Sequence, residues 1–89
     1  MITPESLKAM RLSMAVDKIQ SDLMKDENVI PVTADLLDAC LEIFKKAGFD
    51  CCKGKFQCGS LGLFFFFPDR PLEDQVLACE RVGFIRDTE

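Results

Sequence analysis

One segment constrains this chain more than any other: Leu61-Gly62-Leu63-Phe64-Phe65-Phe66-Phe67, closed by Pro68. In a β-strand, Leu61, Leu63, Phe65 and Phe67 point to one face and Phe64 and Phe66 to the other. No polar residue interrupts either face, so the segment reads as a strand covered on both sides. Four Phe in an uncovered strand would be an aggregation hazard.

Residues Thr3-Pro4-Glu5 open a first helix, with Thr as N-cap, Pro at the first helical position and an acid at the positive dipole end. Leu12, Val16, Ile19 and Leu23 form one continuous stripe on it. Leu7, Met10 and Met14 form a second stripe, rotated from the first by roughly 150–180°. Asp26-Glu27-Asn28 closes this helix, and Pro31 prevents its extension. Thr33 caps a second helix, whose apolar positions Leu36, Leu37, Cys40, Leu41, Ile43, Phe44 and Ala47 predict the most buried helix of the chain. Lys45-Lys46 and Gly48 end it.

Beyond Gly48 the apolar period changes from 3.6 to 2. Lys53-Gly54 reads as a two-residue hairpin turn that sets Cys51 opposite Phe56 and Phe49 opposite Cys58, and Gly59-Ser60 turns or bulges the chain into the strand at Leu61. The turn Pro68-Asp69-Arg70-Pro71 starts a third helix with Leu72, Val76 and Cys79 as its core stripe. Phe84-Ile85-Arg86 adds a short edge strand after Gly83. The expected fold is α+β: two N-terminal helices, a central antiparallel sheet of three to four strands, a third helix and a short C-terminal edge strand. At 89 residues the chain makes a single domain over positions 1–89.

Composition narrows the chemistry. There is no His, Trp or Tyr, and His is the commonest general base and metal ligand. Eleven basic residues against fifteen acidic give a net charge of −4, the wrong sign for a nucleic-acid binder. The densest basic group, Lys45, Lys46, Lys53 and Lys55 with Asp50 among them, does not make a basic face. Gly62 to Phe67 lacks the leading basic residue and the small spacer of strands that stack RNA bases. No Walker loop, Gly-x-Gly-x-x-Gly or nucleophile elbow appears. The longest apolar run is far below the roughly 20 residues of a membrane helix, and the first residues lack the pattern of a signal peptide. These features predict a soluble, cytoplasmic protein without a cofactor.

Five Cys stand at positions 40, 51, 52, 58 and 79. Their odd number, with two adjacent, argues for reduced thiols rather than a disulfide framework. Cys51, Cys52 and Cys58 form the candidate set for redox chemistry or metal binding, although strand neighbours point to opposite faces. Cys52 is the candidate reactive thiol, expected on the outer face beside Lys53 and Lys55, whose charge would lower its pKa. The second stripe on the first helix points elsewhere. A helix with a core stripe and a further Met-rich stripe lies between two layers of its own fold or meets a partner. Leu7, Met10 and Met14 are therefore the candidate partner-binding residues of a small non-enzymatic interaction module (an adaptor, regulator or inhibitor), with self-association as a homodimer through this helix as one form.

Overall fold

The computed structural model describes residues 3–87; positions 1, 2, 88 and 89 of the expected domain lie outside it. Seven elements follow one another: α1 (Pro4–Met24), β1 (Val29–Pro31), α2 (Ala34–Lys46), β2 (Asp50–Phe56), β3 (Leu61–Phe66), α3 (Leu72–Arg81) and β4 (Phe84–Arg86). The strands form one antiparallel sheet in the order β1-β3-β2-β4. The fold of the described residues is α+β, with three helices and the apolar segment from Leu61 at the inside of the sheet.

The expected order of elements is corrected at one point: β1 lies between the first two helices. The backbone N–H of Phe65 donates to Asn28 O at 2.8 Å, and that of Val32 to Leu61 O at 3.1 Å. Antiparallel ladders alternate, so Pro31 falls where the backbone faces away from β3, and its missing N–H removes no bond from the sheet. Pro31 does stop the helix, and it is also the last residue of an edge strand.

The Lys53-Gly54 hairpin is corrected too. β2 runs straight through both residues, and the chain reverses at residues 57–60. There, Phe56 N–H donates to Ser60 O at 2.7 Å, and Gly59 takes a φ of +97° that other residues avoid. Cys51 therefore faces Phe65, Cys52 faces Phe64, and Gly54 faces Gly62. The paired glycines leave a hollow in one face of the sheet, and aromatic rings fill it. A Cβ on Gly54 would fall within the Phe84 ring and 2.6 Å from Ile85 O; one on Gly62 would meet the Phe56 ring at 2.9 Å. The two rings pack edge to face with centroids 5.1 Å apart. Gly54 serves close packing rather than a turn.

The strand alternation divides the core. Leu63, Phe65, Cys51 and Ile30 join Ile19 of α1 and Leu36, Leu37, Cys40 and Phe44 of α2 on one face. Phe64 and Phe84 join Cys79 of α3 on the other, flanked by Cys52, Phe56 and Phe66. Both faces of β3 are thus covered, as its sequence requires. Leu12, Val16 and Leu23 line the inner side of α1. α2 has more buried residues than α1 or α3, although Ile43 and Ala47 at its far end are exposed.

The core stripe of α3 differs from expectation. Leu72 is exposed, whereas Gln75 is 1% exposed. Phe67 N–H donates to Gln75 Oε1 at 2.7 Å, and Gln75 Nε2 donates to Phe67 O at 2.9 Å. Asn28, buried just before β1, donates through Nδ2 to Gln75 Oε1 at 3.0 Å and to Phe65 O at 2.9 Å. One side chain thereby satisfies backbone groups at the end of β3 and the Asn28 side chain at the start of the edge strand, as buried polar groups need. Gln75→Leu keeps the volume and orphans Phe67 N–H together with an Asn28 donor; it should lower urea-unfolding stability by about 3 kcal/mol. Leu77→Ala, at an exposed position of the same helix, should cost less than about 1 kcal/mol. Equal effects of the two would show that the network contributes nothing.

Candidate functional site

The N-terminal half of α1 is held at its start and free along its sides. Thr3 accepts a hydrogen bond from Ser6 N–H at 3.1 Å, Pro4 occupies the first turn, and Glu5 faces the dipole. No Gly or Pro follows before Met24. The inner stripe packs on α2 from Leu12 onward, but residues 4–11 are exposed throughout. A helix of this length spans about 31 Å, and the molecule measures 49 Å in its longest direction against 27 and 25 Å in the others. Leu7, Met10 and Met14 are 50%, 56% and 70% exposed. Among the described residues no other element covers them.

At Met14 this stripe meets a groove of about 800 Å³ between α1, the β1–α2 connection and the 57–60 turn. Its floor is apolar, formed by Ala15, Ile19, Val32, Leu36 and Leu61, and its rim carries Arg11 and Lys18. Both cations are held in place. Arg11 pairs with Asp35 at the start of α2 at 2.8 Å, and Lys18 with Asp22 at 3.2 Å. A hydrogen bond from Thr33, and then the Arg11 guanidinium, hold the Asp35 carboxyl below its usual range. The sequence showed the stripe but not the groove, whose walls come from three separate segments. What this surface offers is apolar contact beside two ion pairs.

The cysteines are not brought together. Cys51 is buried on the α2 face, Cys52 is half-buried on the α3 face, and Cys58 is exposed in the turn beyond β2. Among the described residues no cluster of three or more Cys, Asp or Glu side chains could hold a metal ion. The expectation for Cys52 is corrected. It packs beside Phe64 and Cys79, and burial pushes its thiol pKa up, outweighing the lowering by Arg86. Burial likewise raises Cys40, Cys51 and Cys79. Cys58, named in the candidate set but not as its reactive member, is the exposed thiol. Its Sγ lies 3.4 Å from Ser60 Oγ, and hydrogen bonds from the Ser60 hydroxyl and backbone to the thiolate hold its pKa below the ordinary value. The signal was the turn at Gly59-Ser60 that follows it directly, but the hairpin placed at Lys53-Gly54 put Cys58 on a strand opposite Phe49.

Comparison of the chain with protein-family models, curated proteins and solved structures finds no match in any of the three.

Two outcomes follow for the thiols. An alkylating reagent at neutral pH should label Cys58 first, and Cys40, Cys51 and Cys79 only as the protein unfolds, as peptide mapping by mass spectrometry would show; early labelling of Cys52 would refute this order. The four raised pKa values also carry a sign. Folding favours the neutral thiols, so their contribution is complete below the unfolded thiol pKa of about 8.5 and is lost as pH rises through the higher folded values. Urea midpoints measured from pH 7 to 10, relative to a neutral start of about 7, should fall on the alkaline side. A rising midpoint would contradict the burial argument.

Proposed function

We propose that this chain is a non-enzymatic protein-interaction module, an adaptor, regulator or inhibitor, which takes an amphipathic helix of a partner protein along Leu7, Met10 and Met14. The observation that carries this reading is the exposure of all three side chains on a helix whose other stripe is committed to the core. Apolar residues at i, i+3 and i+7 match the spacing by which one helix lies against another. Met is unbranched and polarizable, which suits an adaptable contact surface. The adjoining groove extends the apolar strip beyond Met14. The α1 of a second copy is itself such a helix, so a homodimer through α1 is one form of this proposal.

Thiol chemistry shared by Cys51, Cys52 and Cys58 has less support, because the three stand on two faces and in a turn.

Combining Met10→Lys with Met14→Lys tests the proposal directly. Because both side chains are exposed, each change should shift stability by within about 0.5 kcal/mol. Binding of the partner that co-purifies with the native chain should be lost in the double variant. If the homodimer is that partner, light scattering should show the dimer replaced by monomer. Retention of the same complex by a folded double variant would refute α1 as the docking helix.

A further inference from the structure

The two edges of the sheet are built differently. At β1 the outward positions are Val29 and Pro31, and Pro31 has no N–H to offer, which blunts that edge. β4 carries no such block. Asp87 N–H donates to Lys53 O at 2.7 Å, and the β2–β4 register sets Lys55 opposite Ile85. Ladder alternation then turns Ile85 toward β2 and turns the N–H and C=O of both Phe84 and Arg86 to the free side. Ile85 is also 74% exposed, projecting on the α2 face beside Leu37 and Leu61 at a groove of about 440 Å³.

We propose that β4 pairs antiparallel with the β4 of a second copy, centred on Ile85, to form a continuous eight-stranded sheet. Centring on Ile85 is the register that pairs the outward groups of both Phe84 and Arg86 within the strand. Centring on Ile85 sets Phe84 opposite Arg86 of the second copy, and each such pair exchanges two backbone hydrogen bonds through the groups that face outward. Ile85 then meets its own copy at a non-hydrogen-bonded site, where Cα atoms approach to about 4.5 Å and side chains lie closest. Centring on Arg86 would oppose two cations directly and leave Ile85 in water. The side chains flanking the contact are also settled: Arg86 lies over the Phe64 ring, 5.3 Å from its centroid, and Phe84 fills the hollow at Gly54. The contact is isologous and closes on itself, as a two-fold dimer requires.

This inference does not rest on the reading of α1. The α1 groove includes Pro31 of β1, and β1 is the sheet edge opposite β4. Pairing through β4 would therefore leave the two α1 surfaces free at the outer sides of the dimer, making the particle bivalent.

Sedimentation velocity of the full chain over a wide concentration range tests the contact. The native chain should show a monomer–dimer equilibrium. Ile85→Lys, which sets like charges across the two-fold axis, should weaken it at least about tenfold. The Met10→Lys, Met14→Lys double variant should leave it unchanged. A chain that stays monomeric throughout, or a dimer that survives Ile85→Lys and dissociates in the double variant, would overturn the proposal; the second result would support a homodimer through α1. Should Ile85→Lys fail to fold, Ile85→Cys gives an independent reading. At a Cα separation of about 4.5 Å a disulfide is geometrically allowed, so mild oxidation should join position 85 of two copies, a link identified by peptide mapping with the oxidised native chain as control. Absence of that link in a folded variant would equally overturn it.

Discussion

A strand that is apolar on both sides can face water on neither, and β3 is such a strand. Phe65 and Leu63 are fully buried on one side, and Phe64 is 3% exposed on the other. The remaining elements are arranged to meet this demand. β1 and β2 pair with its two edges, α1 and α2 cover one face, and α3 covers the other. In 89 residues the helices are few, so one face receives two and the other a single ten-residue helix. The thinner face is completed by aromatic rings set into the Gly54–Gly62 hollow and by Arg86 stacked on Phe64.

Chain direction explains why the helices divide this way. In the order β1-β3-β2-β4, β1 and β2 run the same way and are joined through α2; β3 and β4 run the opposite way and are joined through α3. Crossovers between strands of the same direction are right-handed in nearly all proteins. Both connections here step across the sheet toward the same side, but from strands of opposite direction. Right-handedness then places α2 and α3 on opposite faces, and the two core clusters have this composition. The Gln75 network sits where the second crossover begins and ties it to the approach of β1. A polar side chain serves there because Phe67 and Asn28 present backbone and amide groups that no apolar residue could satisfy.

What the sequence disclosed, and what it hid, follows from how far each signal reaches along the chain. Helix periodicity spans many residues, so α1, α2 and α3 and the inward stripe from Leu12 to Leu23 could be read directly. The two-sided burial of β3 was legible for the same reason. β1 was not, because three residues carry no period and Pro31 is as good a helix stop as an edge residue. The hairpin was misplaced because Gly54 and Gly59 are equal candidates locally. They are distinguished only by Phe84, thirty residues away, whose ring needs the space at Gly54. Gln75 was overlooked because its burial depends on partners at Asn28 and Phe67. The surplus stripe at Leu7, Met10 and Met14 was visible in the sequence; its exposure depended on whether another element covered it, a question of tertiary placement alone.

The exposure of α1 gains meaning from the economy of the rest. An isolated helix of two or three turns is marginal in water, since nucleation is costly and propagation returns little per residue. Among the described residues, beyond the cap at Thr3, the first two turns of α1 are supported only by continuation from the packed segment after Leu12. Solvent alone gives no reason for three large apolar side chains to align there, and a helix needing only solubility would carry charge in their place. Packing against a second helix would supply the stabilisation this segment lacks within its own chain. The same surface would then be the least stable part of the molecule when free and the part most altered when occupied, which is the physical requirement for an element whose order depends on its partner.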